Sequence, residues 1–181
     1  MARHRISLLV LALAPFAVPA HAQDQASLSL GAGYVAPNDV DSTFWVTANY
    51  RFRVANRILL EPEVGYWEKG DDVPGVDVSI EDLNFGVNGI YELTGVGGEG
   101  FRPWLGAGVG LHRLKGVVDL DLDGDDDDDD FDETDTELGV HLLGGADFGL
   151  SDTFDLYVAA RFDIVSDINQ FKVYGGVRYR F

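Results

Sequence analysis

Acidic side chains crowd one segment of the chain, residues 119–135, in which twelve of seventeen positions are Asp or Glu and none is basic. Three of its aspartates alternate with leucines before Gly124, which is how oxygen ligands and a sharp turn open a calcium-binding loop. A fourth continues the alternation, and a fifth stands where such a loop carries its bidentate Glu. We expect weak binding of Ca²⁺ or Mg²⁺ here, and no required cofactor; the candidate ligands are Asp119, Asp121, Asp123, Asp125 and Asp130.

A solvated loop without bound ions explains the same segment. Carboxylates about 6 Å apart repel by roughly 0.7 kcal/mol per pair even in water, so consecutive aspartates favour an extended loop that divalent cations would relax. Asp130 reaches less far than the usual Glu, and in so acidic a tract some ligand-like spacing arises by chance. Both interpretations stay open, and Asp71 and Asp72 would add to the same acidic rim.

The bulk composition limits the function classes. A length of 181 residues favours one domain, and the formal net charge of −18 makes nucleic acid and anionic lipid poor partners. There is no cysteine, which excludes disulfides, cysteine-ligated metals and a cysteine nucleophile. Twenty-two glycines together with 12% aromatic residues favour β-structure over a helical bundle.

The N-terminus has the layout of a secretory signal peptide. Met1–Arg5 is basic, Ile6–Val18 is apolar but short for a spanning helix, and Ala20-His21-Ala22 is an A-x-A cleavage site. We therefore predict a signal peptide over residues 1–22 and a mature domain over residues 23–181.

The mature chain contains eight segments in which every second residue is apolar, the period of β-strands with two different faces. Connections near 54–56, 94–100 and 151–153 are short. Those at 37–41, 68–79, 114–136 and 166–169 are mostly longer and more acidic. This alternation predicts an all-β, eight-stranded antiparallel up-and-down transmembrane barrel; the apolar faces are Leu28–Tyr34, Phe44–Phe52, Ile58–Tyr66, Leu83–Leu93, Phe101–Leu111, Leu138–Phe148, Leu156–Ile164 and Phe171–Phe181.

Three features indicate that the apolar faces point outward to lipid. Aromatic residues stand toward the strand ends, as interfacial girdles require. Glycines concentrate on the polar faces, where they leave room for long side chains in a narrow lumen. The polar faces also carry both charges, with Arg51, Arg161, Arg178 and Arg180 available to Glu61, Glu63, Asp147 and Asp163.

Two motifs resemble the small eight-stranded outer-membrane barrels, the group of the OmpA transmembrane domain and OmpX. Phe101–Gly110, FRPWLGAGVG, is similar to a strand common in that family, and Val177–Phe181, VRYRF, is similar to its C-terminal signature. The resemblance covers residues 26–181. It implies an integral outer-membrane barrel with both termini in the periplasm. It also implies that the barrel-assembly machinery recognises Phe181.

From this we expect a non-enzymatic, monomeric barrel with a structural or surface-interaction role, in contact with outer-membrane lipids and lipopolysaccharide. A pore is disfavoured, because Trp45, Trp104, Tyr157 and Tyr174 would fill the lumen. A lipid-modifying enzyme would need a lipid-facing His–Ser pair, whereas His112 and His141 have inward register. A soluble periplasmic barrel that binds a small apolar ligand is a further alternative.

Overall fold

Eight β-strands follow one another in a computed structural model, which describes residues 26–38, 40–73, 76–96, 98, 100–120, 131–166 and 168–181. Each strand contains one of the alternating segments, so the predicted element count is confirmed for the described residues. No helix in this part of the chain is long and apolar enough to cross a membrane. The strands are β1 (Ala26–Pro37), β2 (Thr43–Ala55), β3 (Ile58–Val73), β4 (Val76–Glu92), β5 (Phe101–Leu120), β6 (Phe131–Gly149), β7 (Phe154–Val165) and β8 (Gln170–Arg180).

The strands form a closed antiparallel barrel in sequence order, which confirms the predicted fold class. β1 pairs with β8 from Ser27↔Arg180 to Pro37↔Gln170, so the closed part of the sheet has no free edge. Ala26 and Phe181 lie at one end, called the terminal end; the opposite end is called the distal end.

Rows of paired residues climb around the barrel. A row that starts at Ser27 on β1 passes through β2 to β7 and reaches Gln170 on β8, which pairs with Pro37, ten residues further along β1. This stagger tilts the strands by about 40° from the barrel axis. Each row therefore rises toward the distal end as it runs from β1 to β8.

The apolar faces point outward and the polar faces inward. Leu30 and Leu138 are each 65% exposed on the outer surface, whereas Arg161 and Asp163 inside are 1% and 0% exposed. A water-soluble barrel would have the opposite distribution. The inverted arrangement predicted from the sequence is confirmed.

Two of the predicted long connections are wrong in their bounds. Residues 68–73 and 76–79 continue β3 and β4 and remain paired as far as Val73↔Val76. Residues 114–120 and 131–136 likewise continue β5 and β6, paired as far as Val118↔Phe131. Strand pairing needs backbone hydrogen bonds and not apolar alternation, so it extends into sequence where both faces meet water.

Candidate functional site

A ring of four charges crosses the lumen near the terminal end. Arg51 Nε donates to Glu61 Oε2 at 2.6 Å, and Arg178 Nη2 lies 3.4 Å from the same oxygen. Arg178 and Arg51 also pair with Asp147, each with a different carboxylate oxygen. Each charge therefore has two partners of opposite sign, which offsets the cost of burying it.

A second cluster fills the lumen further toward the distal end. Arg161 pairs with Glu63 and donates from Nε to Asp163 Oδ1 at 2.7 Å. Lys172 Nζ lies 3.2 Å from the other oxygen of Asp163. We call Glu63, Arg161, Asp163 and Lys172 the distal cluster.

Two histidines extend the distal cluster. His112 Nδ1 lies 2.9 Å from Asp82 Oδ2, which also accepts from Gln170 at 2.8 Å. Arg161 Nη2 lies 3.1 Å from His141 Nδ1. Since a guanidinium can only donate, His141 Nδ1 accepts, and its Nε2 carries the proton that is donated to Asn88.

Aromatic rings occupy the remaining inner space. The Trp45 and Tyr174 rings meet edge to face, with centroids 4.5 Å apart. Cationic groups cover three inner rings, each within 5 Å of a centroid: Arg51 over Trp104 at 4.6 Å, Lys172 over Trp45 at 4.8 Å and Arg178 over Tyr157 at 4.9 Å. The described side chains therefore fill the barrel rather than line an open channel.

The predicted lumen pairing is largely confirmed. Arg51, Arg161 and Arg178 pair with the acids named from the sequence, but Arg180 pairs with Asp155 instead. Trp67 was not among the predicted lumen residues, but its indole nitrogen donates to Asp82 at 3.2 Å. Trp67 continues the inward alternation of β3, so the signal was present one step beyond the predicted strand end.

The histidines have the inward register that was predicted. His112 is 0% exposed and His141 is 2% exposed, and both lie among lumen side chains. A His on the lipid-facing surface is therefore not found among the described residues, which include no His besides these two. In the same ranges, no group of three or more His, Asp or Glu residues is arranged to hold a metal ion.

The predicted cation ligands fall mostly outside the described residues. Asp119 lies in β5, where its backbone pairs with Asp77 of β4. Asp121, Asp123, Asp125 and Asp130 lie outside the described ranges. Their use as ligands stays a prediction.

The outer surface carries aromatic pairs near both ends of the barrel. Tyr34 and Phe44 pair near the distal end, with ring centroids 5.2 Å apart. At the terminal end, the Phe101–Phe148, Phe154–Tyr179 and Tyr179–Phe181 centroids lie 5.4, 5.2 and 5.1 Å apart. An apolar wall between aromatic belts is the surface of a barrel that spans a membrane.

Solved structures of bacterial outer-membrane proteins have the same fold. A major outer-membrane protein of Thermus thermophilus is 13% identical, with a TM-score of 0.70 over 87% of this chain and 98% of that one. Neisserial surface protein A is 19% identical, with a TM-score of 0.62 over 86% and 97%. The attachment invasion locus protein Ail of Yersinia pestis, solved with the heparin analogue sucrose octasulfate, is 12% identical, with a TM-score of 0.58 over 87% and 97%.

Sequence comparison assigns the family. No curated protein sequence matches the chain significantly. The family model described as outer membrane protein beta-barrel domain matches residues 7–181, which is nearly the whole chain. The match agrees with the closed eight-stranded barrel, its apolar outer wall and its charged lumen. The chain belongs to the outer-membrane protein β-barrel family and is a protein of the outer membrane.

Proposed function

We propose that this protein is a non-enzymatic surface barrel whose distal end binds partners outside the cell. The observation that carries the proposal is that four consecutive strands, β3 to β6, continue in mutual pairing beyond the apolar wall. The outward apolar run of β5, from Phe101 to Leu111, spans about 25 Å along the barrel axis at the strand tilt, which is the height of the membrane band. β5 then runs on to Leu120, adding roughly 30 Å of strand.

The neighbouring strands do not follow this extension. β2 begins at Thr43 and β7 ends at Val165, so they pair with β3 and β6 only up to Trp67 and Gly139. The described parts of β3 to β6 beyond these points form a four-stranded sheet, called the distal sheet. We infer that the termini lie in the periplasm and the distal sheet outside the cell.

The charge of the distal sheet indicates its partner. Glu68, Glu133 and Asp135 are exposed on it, and in the sequence the acidic segment 119–130 lies between the apolar runs of β5 and β6. Ail was solved with a sulfated heparin analogue, but this surface would repel such a polyanion. A cationic protein surface or peptide is the complementary partner.

The test shortens the distal sheet and leaves the barrel wall unchanged. Asn-Gly turns replace residues 70–79 and 116–133, so that Lys69↔Ile80 and Lys115↔Thr134 become the last pairs. A matched control keeps the length and changes the Asp and Glu residues of these segments to Asn and Gln. Both are purified into phosphatidylcholine nanodiscs and titrated with fluorescent polylysine.

We expect tight, salt-sensitive polylysine binding by the wild-type barrel and loss of that binding in both variants. Heat-modifiable gel mobility confirms that each variant is folded. Equal binding by all three proteins would reject the proposed partner class. Loss in the shortened variant alone would show that sheet shape, and not charge, is recognised.

Weak binding of Ca²⁺ or Mg²⁺ is a separate part of the proposal, supported by the spacing of the aspartates in the sequence. Isothermal titration of the folded barrel with CaCl₂ tests it. We expect millimolar affinity that falls when Asp119, Asp121 and Asp123 are changed to Asn. In the control variant, Asp126, Asp127 and Asp128 are changed to Asn. The control has the same net charge as the first variant, but it retains all five candidate ligands.

A lipid-modifying enzyme is the alternative function. What speaks against it is the inward position of His112 and His141, since catalysis at a lipid would require an outward nucleophile–base pair. We also propose export by the N-terminal signal, and mass spectrometry of the purified protein should show a mature chain that starts at Gln23.

A further inference from the structure

A groove of about 340 Å³ crosses the outer wall on β1 to β4. It forms where the small side chain of Ala48 lies between its larger cross-strand partners Leu30 and Val64. Val46, Tyr66 and Leu83 close its distal side. Its exposed surface is almost entirely apolar, which suits hydrocarbon chains.

Two basic residues lie above the apolar wall on the neighbouring strand. Arg113 and Lys115 have the outward register of β5 and come directly after Leu111, the last residue of its apolar run. In the described strands, no other Lys or Arg has outward register at the distal end. Arg113 is exposed and makes no ion pair with a described residue. With the distal end outside the cell, as inferred above, the pair lies at the level of the headgroups of the outer leaflet.

The barrel stagger joins the groove to this basic pair. Val46, Tyr66 and Leu83 belong to one row, and Leu83 pairs directly with Arg113. Because rows rise from β1 toward β8, the groove climbs to Arg113 as it crosses the strands. Hydrocarbon chains in the groove would thus have their headgroup at the basic pair.

Polar neighbours decide on which side of the pair an anion would bind. On the β4 side, Tyr66 Oη lies 2.8 Å from Glu68 Oε2 and 3.1 Å from Glu81 Oε2. Glu81 is also the cross-strand partner of Lys115, so carboxylates occupy this side of the pair. On the β6 side, Thr136 and Thr134 pair with Arg113 and Lys115 and are exposed. Their hydroxyls can donate to a phosphate together with the cations, so the anion belongs on the β6 side.

We propose that the groove and the Arg113–Lys115 pair form a binding site for one phosphate-bearing lipid of the outer leaflet, with several acyl chains, as in lipopolysaccharide. The site rests on the membrane orientation inferred above, but it does not require the cationic partner proposed for the distal sheet. It gives an acidic protein an attractive contact with an anionic leaflet.

Native mass spectrometry of the detergent-solubilised barrel tests the site, with deep-rough lipopolysaccharide and its dephosphorylated form as probes. EDTA is present throughout, so that cation bridging by the acidic segment does not contribute. The double variant Arg113→Gln/Lys115→Gln removes the headgroup contact. Arg53→Gln/Arg57→Gln at the terminal end is the charge-matched control.

We expect about tenfold tighter binding of the phosphorylated lipid by the wild type and by the control, because charge-assisted hydrogen bonds contribute on that scale. The Arg113/Lys115 variant should lose this preference. Equal affinity of this variant and the wild type for the phosphorylated lipid would overturn the proposal. Displacement of the lipid by millimolar inorganic phosphate would also overturn it, because the anion alone would then be the ligand.

The groove is tested separately by Ala48→Phe, which fills it, with Ala160→Phe on the outer wall of β7 as the matched control. Ala48→Phe should weaken the binding of the phosphorylated and the dephosphorylated lipid to the same extent. Ala160→Phe should leave the binding of both lipids unchanged. If both Phe variants bind as the wild type does, the acyl chains do not use the groove and the proposal fails in that part.

Discussion

Arg161 is the residue whose loss should cost the barrel most. It pairs with Glu63 and Asp163, and all three side chains are fully buried. In Arg161→Gln, Lys172 still pairs with Asp163, but Glu63 loses its guanidinium partner inside the barrel. We expect a loss of about 3–5 kcal/mol in the free energy of unfolding.

The rim pair Arg53–Glu92 provides the control, because its side chains are 30% and 24% exposed. Arg53→Gln should cost no more than about 1 kcal/mol. Urea unfolding of both variants in phospholipid vesicles, followed by tryptophan fluorescence, measures the difference. Equal losses would show that lumen pairing does not stabilise the barrel.

Gly108 provides the space for one lumen hydrogen bond. It lies between Asn88 on β4 and His141 on β6, whose side chains meet across it. A Cβ at this position would run into both side chains and the carbonyl of Val87. We expect Gly108→Ala to lower the unfolding free energy by about 1–3 kcal/mol.

Gly89 is the comparison for that substitution. A Cβ there would meet only the Ala107 carbonyl, at an ordinary contact distance of 3.7 Å. Gly89→Ala should be neutral or stabilise the barrel by up to about 1 kcal/mol, because alanine lowers the conformational entropy of the unfolded chain. Similar losses from both alanines in the same urea titration would contradict the role assigned to Gly108.

At the scale of the elements, the sequence predicts the barrel wall better than the strand ends. Alternation is enforced where one face meets lipid and the other the lumen, so residues such as Leu30 and Arg161 have predictable faces. From Glu68 on β3 and from Lys115 on β5, both faces meet water and the pattern is lost. The partners across the lumen were also incompletely predictable, because the stagger that brings Trp67 of β3 to Gln170 of β8 is set by all eight strand pairs.

The last strand gives a prediction about assembly. Phe181 donates its N–H to the Ala26 carbonyl at 3.0 Å, and its ring lies against Tyr50 and Tyr179 on the outer wall. In Phe181→Ala the folded barrel should lose only about 1–2 kcal/mol, since the ring is 62% exposed to the surroundings. In cells, the amount of folded barrel should fall far more, if the assembly machinery recognises this residue.

Phe154→Ala separates these two effects. Phe154 pairs with Tyr179 at 5.2 Å at the same end and is 43% exposed, but it is not part of the C-terminal signature. Phe154→Ala should lower the free energy of unfolding in vitro by a similar amount to Phe181→Ala. It should leave the amount of folded barrel in cells nearly unchanged. Heat-modifiable mobility of membrane fractions measures both variants, and equal cellular levels would reject recognition through Phe181.

At the scale of the whole molecule, charged side chains are arranged differently in different regions of the barrel. The exposed acids Glu68, Glu133 and Asp135 lie toward the distal end. The lumen instead pairs its acids with Arg51, Arg161, Lys172 and Arg178. The outer wall is apolar and bears Arg113 and Lys115 just above it. This division of charge fits the two proposals, in which the acidic sheet binds a cationic partner and the basic pair contacts the leaflet.

The filled lumen leads to a last prediction, that the barrel does not let small solutes pass. Trp45, Trp67, Tyr157 and Tyr174 are each at most 5% exposed, and buried ion pairs bridge the strands around them. Opening a path for a solute would break several buried pairs at once, at several kcal/mol each. Liposomes that contain the barrel should therefore swell in arabinose at the rate of protein-free liposomes, whereas a general porin in matched liposomes gives rapid swelling. Swelling above the protein-free rate would show that the lumen clusters open, and the barrel would then have to be considered a channel.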